Sequence, residues 1–364
     1  MKFVDLDAQR QRIRRGVDDA IAKVLNHGRY ILGPEVLELE AALAKFSGAS
    51  NCVSVANGTD ALQIVQMFLG ISAGDEVIVP GFTYVATAET VLGLGATPIY
   101  VDVSDTDYNL CAEKLVESIS PRTKAIIPVS MFGQCADFSG INEIAERFNV
   151  PVIEDAAQSF GARQSGLRST NLSKFACTSF FPSKPLGCYG DGGAIFAQDE
   201  NDAAIIRQIA RHGQDRRYHH IRLGVNSRLD TLQAAIVLQK LQILDKEIEE
   251  RQMVAEKYNA YFSECPDVKI PIVQNSNTSA WAQYSIRVPN RGRVIDVLDS
   301  KEIPYAIHYP MPVYKQPAMQ VADLHLDVCE SVSKSIISLP MHPYLSDEEI
   351  LTVSTCVMDA VNSG

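Results

Sequence analysis

Along the first fifty positions the apolar residues recur at helical spacing. Leu6, Ile13, Val17, Ile21 and Val24 make one stripe on a polar stretch over 5–26 that Gly28 stops, and Val36, Leu39, Leu43 and Phe46 make a second over 35–46, with Pro34 suited to its first turn. Both predict amphipathic helices. The period then changes: short apolar runs at 52–56, 76–79, 98–101, 125–129 and 151–154 alternate with helix-spaced segments at 59–69, 83–94, 112–119 and 141–148. Runs that are apolar on both faces and separated by helices predict a mostly parallel sheet covered by helices. Two more apolar runs, 175–180 and 192–196, read as further strands. A helical pattern through Leu232, Ala235, Ile236, Leu241, Leu244, Ile248 and Tyr258 continues from 229 to 261, long enough to bridge two domains. Beyond it the order is strand (282–288), helix (292–300), strand (305–308), a proline-rich irregular stretch (310–317) and two further helices, a smaller α+β unit. The expected division is a large domain over 1–245 and a small one over 246–364.

Length agrees, since 364 residues exceed the size at which single cores stop growing. Hydrophobic residues make up 46% of the chain, yet no uncharged apolar run approaches the roughly 20 residues of a membrane helix. The start Met1-Lys2-Phe3-Val4-Asp5 lacks a secretory pattern, so a cytoplasmic protein with no membrane partner is expected. A net charge of −11 opposes any general affinity for nucleic acid, so an anionic ligand must be met locally. The eight cysteines contain no CxxC pair and the seven histidines no HExxH or His/Cys pattern, so neither disulfides nor a metal site is expected.

In sheets of this kind ligands bind beyond the carboxyl ends of the strands. Lys184 sits there, in Thr178-Ser179-Phe180-Phe181-Pro182-Ser183-Lys184-Pro185-Leu186-Gly187 between two strands. A solvated surface lysine is one reading. The other is an amine partly desolvated among apolar residues, favouring the neutral form that attacks a carbonyl to make a Schiff base. At 56–62 a strand passes into a helix through Gly58, with Thr59 available as cap, which suits a phosphate or is simply a capped turn. Tyr84 offers a ring at the same rim, or core packing. Val152-Ile153-Glu154-Asp155 runs an apolar strand into paired acids, and a carboxylate there needs a cationic partner or a function. One cofactor fits these parts together, pyridoxal 5'-phosphate. Lys184 would make the covalent link, Asp155 would keep the pyridine nitrogen protonated, Tyr84 would stack, and Gly58, Thr59 and Ser179 would form the phosphate cup.

Several segments carry a family resemblance: Asn57-Gly58-Thr59-Asp60-Ala61, Glu154-Asp155-Ala156-Ala157-Gln158, Ser179-Phe180-Phe181-Pro182-Ser183-Lys184, Gly190-Asp191-Gly192-Gly193 and Gly224-Val225-Asn226-Ser227-Arg228. With Gly28-Arg29-Tyr30-Ile31-Leu32-Gly33-Pro34-Glu35 and His308-Tyr309-Pro310, they resemble the nucleotide-sugar aminotransferases, a branch of the aspartate-aminotransferase-like (fold type I) enzymes, over nearly the whole chain. Within the branch the resemblance runs to enzymes that aminate C3 of a UDP-2-acetamido-2-deoxy-3-oxo-D-glucuronate for bacterial surface polysaccharide (O-antigen). It implies an α/β fold with a large cofactor-binding domain and a smaller C-terminal one. It implies pyridoxal 5'-phosphate covalent on Lys184, cycling through pyridoxamine 5'-phosphate, with L-glutamate as donor. Asp155 would face the ring nitrogen and Gln158 the ring hydroxyl; Gly58, Thr59, Asp60 and Ser179 would surround the phosphate, and Asn226 would reach it from the second subunit of a homodimer. Amination at C4 or of a dTDP-keto-sugar shares every motif. Relatives that dehydrate sugars with pyridoxamine phosphate carry histidine in place of the lysine, and a non-enzymatic regulator is the remaining alternative.

The segment 207–228 holds six arginines and three histidines against one acid, Asp215. It reads as a solvated loop or as a site for a diphosphate or carboxylate across the dimer interface. Arg228 is the first choice for a carboxylate, whose geometry its planar fork matches. His308 and Tyr309, expected at a strand end, line the sugar pocket or serve structure.

Overall fold

The computed structural model describes residues 1–363. Two helices, α1 (Leu6–His27) and α2 (Pro34–Ser47), open the chain, and both end on left-handed glycines, Gly28 (φ 67) and Gly48 (φ 82). There follow β1 (Asn51–Val55), α3 (Gly58–Phe68), β2 (Glu76–Pro80), α4 (Ala86–Gly93), β3 (Thr97–Val101), α5 (Ala112–Ser118), β4 (Thr123–Ile126), α6 (Phe138–Phe148) and β5 (Ile153–Asp155). A small hairpin, β6 (Arg163–Gln164) and β7 (Leu167–Arg168), leads to β8 (Phe175–Ser179), β9 (Gly193–Ala197) and α7 (Glu200–Ile209). A second hairpin, β10 (Gln214–Arg216) and β11 (His219–His220), precedes α8 (Thr231–Leu241) and α9 (Leu244–Phe262). The remainder is β12 (Asn277–Thr278), β13 (Tyr284–Arg287), α10 (Arg291–Ser300), α11 (Asp327–Ser335), β14 (Ile336–Leu339) and α12 (Asp347–Asn362).

Strands β3-β2-β4 and β5-β8-β9-β1 are joined by single parallel bridges, Ile126 to Val152 and Val129 to Asp155, into one sheet. Every neighbour pair is parallel except those of β9, which runs against both β8 and β1. Alternate side chains feed opposite layers. Val77, Val79, Ile153, Phe175 and Cys177 pack towards α3 and α4, whereas Ile78, Val152, Ala176 and Ala194 pack towards α2, α5, α6 and α8. The sheet is thus buried on both faces, as its continuous apolar runs require.

Two expectations fail in the second half. The pattern over 229–261 is not one helix: the Ile243 N–H reaches back only to Lys240 O, and the helical ladder breaks between Leu241 and Leu244. The break lets α9 set Leu244 in the core beneath the large sheet while Val254, Tyr258 and Phe262 enter a separate cluster built from residues 254–360. Nor is 305–308 a strand. Pro304 and Pro310 bracket it, prolines supply no ladder donor, and only Ala306 bridges, to Ser338. The antiparallel partner of β13 is instead β14, pairing Ser285 with Ser338 and Ile286 with Ile337.

Candidate active site

A cleft of about 680 Å³ opens beyond the carboxyl ends of β1, β2, β5 and β8. Gly58, Thr59, Asp60, Tyr84, Asp155, Gln158, Ser179, Lys184, His308 and Tyr309 all line it. Asn226 and Arg228 do not.

Asp155 ends β5 and is buried, with 6% of its surface exposed. Thr87 Oγ1 donates to Oδ2 at 3.0 Å and the Ala157 N–H to Oδ1 at 3.1 Å. Burial pushes its pKa up, against these two donors and the charge of Lys184. Among the described residues it has no ion pair within 4 Å, so it is an aligned carboxylate short of a cationic partner. Its neighbour Glu154 points to the opposite face of the sheet, where Ser169 Oγ (2.7 Å) and the Thr170 N–H (3.0 Å) hold it and burial raises its pKa to about 7.

Lys184 stands on the loop between β8 and β9. The Phe180 N–H reaches Gly192 O and the Cys188 N–H reaches Phe180 O, both at 2.7 Å, and the Lys184 N–H closes a turn on Phe181 O at 2.9 Å. Only glycine fits at 187, where a Cβ would lie 2.5 Å from Pro182 O. Burial lowers the amine's pKa, with Asp155 opposing the shift. The surface-lysine reading therefore does not describe this side chain.

At the start of α3 the sequence expectation needs one correction. The cap is Asn57, whose side chain accepts the Asp60 N–H at 2.7 Å, and Thr59 is already inside the helix. Asparagine is at least as good a cap as threonine, so the sequence held the signal. The Ala61 N–H returns to Asn57 O, and among the described residues the Gly58 and Thr59 amides, at the positive end of the helix, have no acceptor. Ser179 closes the cradle: a Cβ on Gly58 would come within 2.8 Å of its Cβ. Since Ser179 Oγ accepts from the Phe181 N–H, its own proton is free to be donated.

The remaining wall is aromatic and amide. Phe82 is buried in the core, while Tyr84 is 55% exposed with its ring 6.1 Å from that of Tyr309. Gln158 accepts the Phe132 N–H through Oε1 at 2.9 Å, and its NH₂ stands at the cleft beside Tyr309, with a 3.8 Å contact to Met131 Sδ. His308 bonds Ser338 Oγ through Nδ1 at 2.9 Å, and burial, helped by Lys184, holds its pKa at about 4. Gln283 and Asp191 also face the cleft, and Thr87 stands behind it. Sequence reasoning missed all three, and the partner of Thr87 lies 68 residues away.

The arginine-rich segment divides. Arg207 turns inward to Glu40 at 2.8 Å and donates to Cys52 O at 3.1 Å, so it braces the fold. Arg211 is partly buried, its guanidinium held below the ordinary value by burial first and then by Arg207. The hairpin β10–β11 and the residues just after it are exposed, Tyr218 by 80% and Leu223 by 89%.

The donor set fits pyridoxal 5'-phosphate: a buried carboxylate awaiting a cation, a glycine-lined cradle with free amides, and a depressed-pKa amine, all on one cleft. The model of the DegT/DnrJ/EryC1/StrS aminotransferase family matches residues 11–358. The chain is 59% identical over 350 residues to a Pseudomonas aeruginosa protein named UDP-2-acetamido-2-deoxy-3-oxo-D-glucuronate aminotransferase, covering 96% of this chain and 97% of that one. A crystal structure of a DegT DnrJ EryC1 StrS aminotransferase from Brucella abortus superposes with a TM-score of 0.96 at 44% identity, covering 99% of each chain. A Bacillus subtilis protein, NtdA, solved with bound cofactor PMP, gives 0.92 at 27% identity, covering all of this chain and 85% of that one.

Proposed function

Since the chain belongs to the DegT/DnrJ/EryC1/StrS aminotransferase family, of fold type I and dependent on pyridoxal phosphate, we propose that it aminates C3 of UDP-2-acetamido-2-deoxy-3-oxo-D-glucuronate. The observation that carries this substrate is the 59% identity, nearly end to end, to the Pseudomonas enzyme of that name. L-glutamate is the proposed donor, and the product serves bacterial surface polysaccharide. We further propose a cytoplasmic homodimer, with large and small domains over 1–245 and 246–364. Asn226 and Arg228 stand outside the cleft of their own chain, in the segment that follows an exposed, mostly basic hairpin, which supports their reaching the cleft of a second subunit. No helix among the described residues is long and apolar enough to cross a membrane.

When bound, the cofactor supplies an aldehyde that takes up an amino group and a protonated ring that withdraws electrons. Lys184 would hold it covalently, the Gly58 and Thr59 amides with Ser179 would bind its phosphate, Gln158 its ring hydroxyl, and Asp155 its ring nitrogen. Pairing with a cation would reverse the upward push on Asp155 and keep it ionised. The lowered pKa of Lys184 raises its neutral fraction near pH 7, which suits nucleophilic attack and proton transfer alike. Lys184 Nζ would also carry protons, accepting one from the donor's Cα and giving one to the sugar carbon that gains nitrogen. Tyr84, His308 and Tyr309 would orient the sugar, and Arg228 would bind a carboxylate of sugar or donor. Offering the loaded protein and glutamate a panel of nucleotide keto-sugars tests the proposal, with products weighed and the aminated carbon located by NMR. A preference for a dTDP-keto-sugar, amination at C4, or dehydration without 2-oxoglutarate would overturn it.

A further inference from the structure

Two serines pair in the middle of the small antiparallel ladder. Ser285 and Ser338 face each other across β13 and β14, both buried, with their hydroxyl oxygens 2.8 Å apart. Ser338 Oγ also lies 2.9 Å from His308 Nδ1, so the three groups form a chain from the interior of the ladder to the cleft. Each hydroxyl has one proton to give, and among the described residues Ser285 Oγ meets no polar group except Ser338. A buried hydroxyl proton left without an acceptor is costly, so the Ser285 O–H must donate to Ser338 Oγ. Ser338 then gives its own proton to the next acceptor in reach, His308 Nδ1. That nitrogen must be bare, which leaves the ring proton on Nε2, the nitrogen without a hydrogen-bond partner among the described residues. Which ring nitrogen carries the proton is thus set by where a buried chain ends.

We infer that Ser285 and Ser338 are positioning residues that hold neutral His308 as its Nε2–H tautomer, making it a hydrogen-bond donor to an oxygen of the sugar. The inference rests on the reading that His308 lines the sugar pocket. The low pKa of His308, set by burial and by the charge of Lys184, agrees with a neutral ring at pH 7. A ring in this form would favour an acceptor oxygen at its position and disfavour a donor such as an ammonium or an amide N–H. The serine pair would therefore act on choice of sugar without touching it.

The test uses cofactor-loaded enzyme with ¹⁵N-labelled histidines and no sugar, the His308 ring signals being assigned by their loss in His308→Gln. The expected spectrum shows His308 with a bare Nδ1 and a protonated Nε2 at pH 7. Ser338→Ala should turn this into a mixture of tautomers and raise the KM for the keto-sugar about tenfold with kcat changed less than twofold, the worth of one hydrogen bond in binding. Ser338→Thr, which keeps the oxygen, should restore both. Ser285→Ala, which frees the Ser338 proton to point either way, should give a smaller change in the same direction. A wild-type ring protonated on Nδ1 or on both nitrogens, or a tautomer unmoved by both alanine variants, would overturn the inference. If the spectrum is as expected but His308→Gln leaves the KM unchanged, the placement of the sugar is wrong and the tautomer assignment stands.

Discussion

Lys184 and Lys240 are both amines that burial holds below the ordinary lysine range, in surroundings that differ in what the amine can reach. Lys184 opens on a wide cleft with a carboxylate on its far side. Lys240 is 1% exposed and its Nζ lies 4.3 Å from the centre of the Tyr189 ring; among the described residues neither that Nζ nor the Tyr189 hydroxyl has a hydrogen-bond partner. Its pKa is lowered to about 8. A depressed pKa is therefore no mark of chemistry by itself. Access to a ligand and a counter-charge for that ligand separate a reagent from a packed cation.

Replacing Lys184 should have the largest effect: Lys184→Ala should abolish turnover and the visible absorbance of the covalent cofactor, and borohydride should fix cofactor to Lys184 alone in the parent. Label on Lys240 would invert the comparison. Asp155→Ala should retain cofactor but slow turnover by roughly a hundredfold, the usual size of a lost preorganised electrostatic partner. Near-normal rates would mean that the counter-charge is dispensable. Gly58→Ala, whose methyl would press on Ser179, should weaken binding of the phosphorylated cofactor about tenfold in a titration, and unphosphorylated pyridoxal should suffer less. Lys240→Met should leave turnover within about twofold and stabilise the fold near pH 7 by roughly 3 kcal/mol, from the shift between its ordinary value of 10.5 and about 8. The sign follows from proton uptake: an unfolded chain binds this proton more tightly, so wild-type stability should rise from about pH 8 towards 10.5. Denaturant melts of wild type and variant across that range should show the gap closing; a constant gap would mean that Lys240 is not strained by its burial.

Much of this was legible in the sequence because the signals were local. The run Val152-Ile153-Glu154-Asp155 announces a strand ending in acids, and Lys184 sits between two apolar strands whatever the rest of the chain does. Two kinds of feature were hidden. The break before α9 arises because one segment serves two cores, and Leu241-Gln242-Ile243-Leu244 contains no breaker residue to announce it. β14 is masked because Ile336-Ile337-Ser338-Leu339 follows α11 directly, and a short apolar run can belong to either element. Thr87 and Ser338 acquire meaning only from groups brought to them by the fold, Asp155 and His308. No spacing rule reports such meetings.

The reversal of β9 bears on how fast an amine can act. Because β9 returns beside β8, the intervening loop never crosses a face of the sheet, and its ends are clamped about one strand spacing, roughly 4.8 Å, apart. The conformational cost of placing Nζ is met once, during folding, and is not repeated at each turnover. Such a leashed base works at a high effective molarity towards any carbon lodged in front of it.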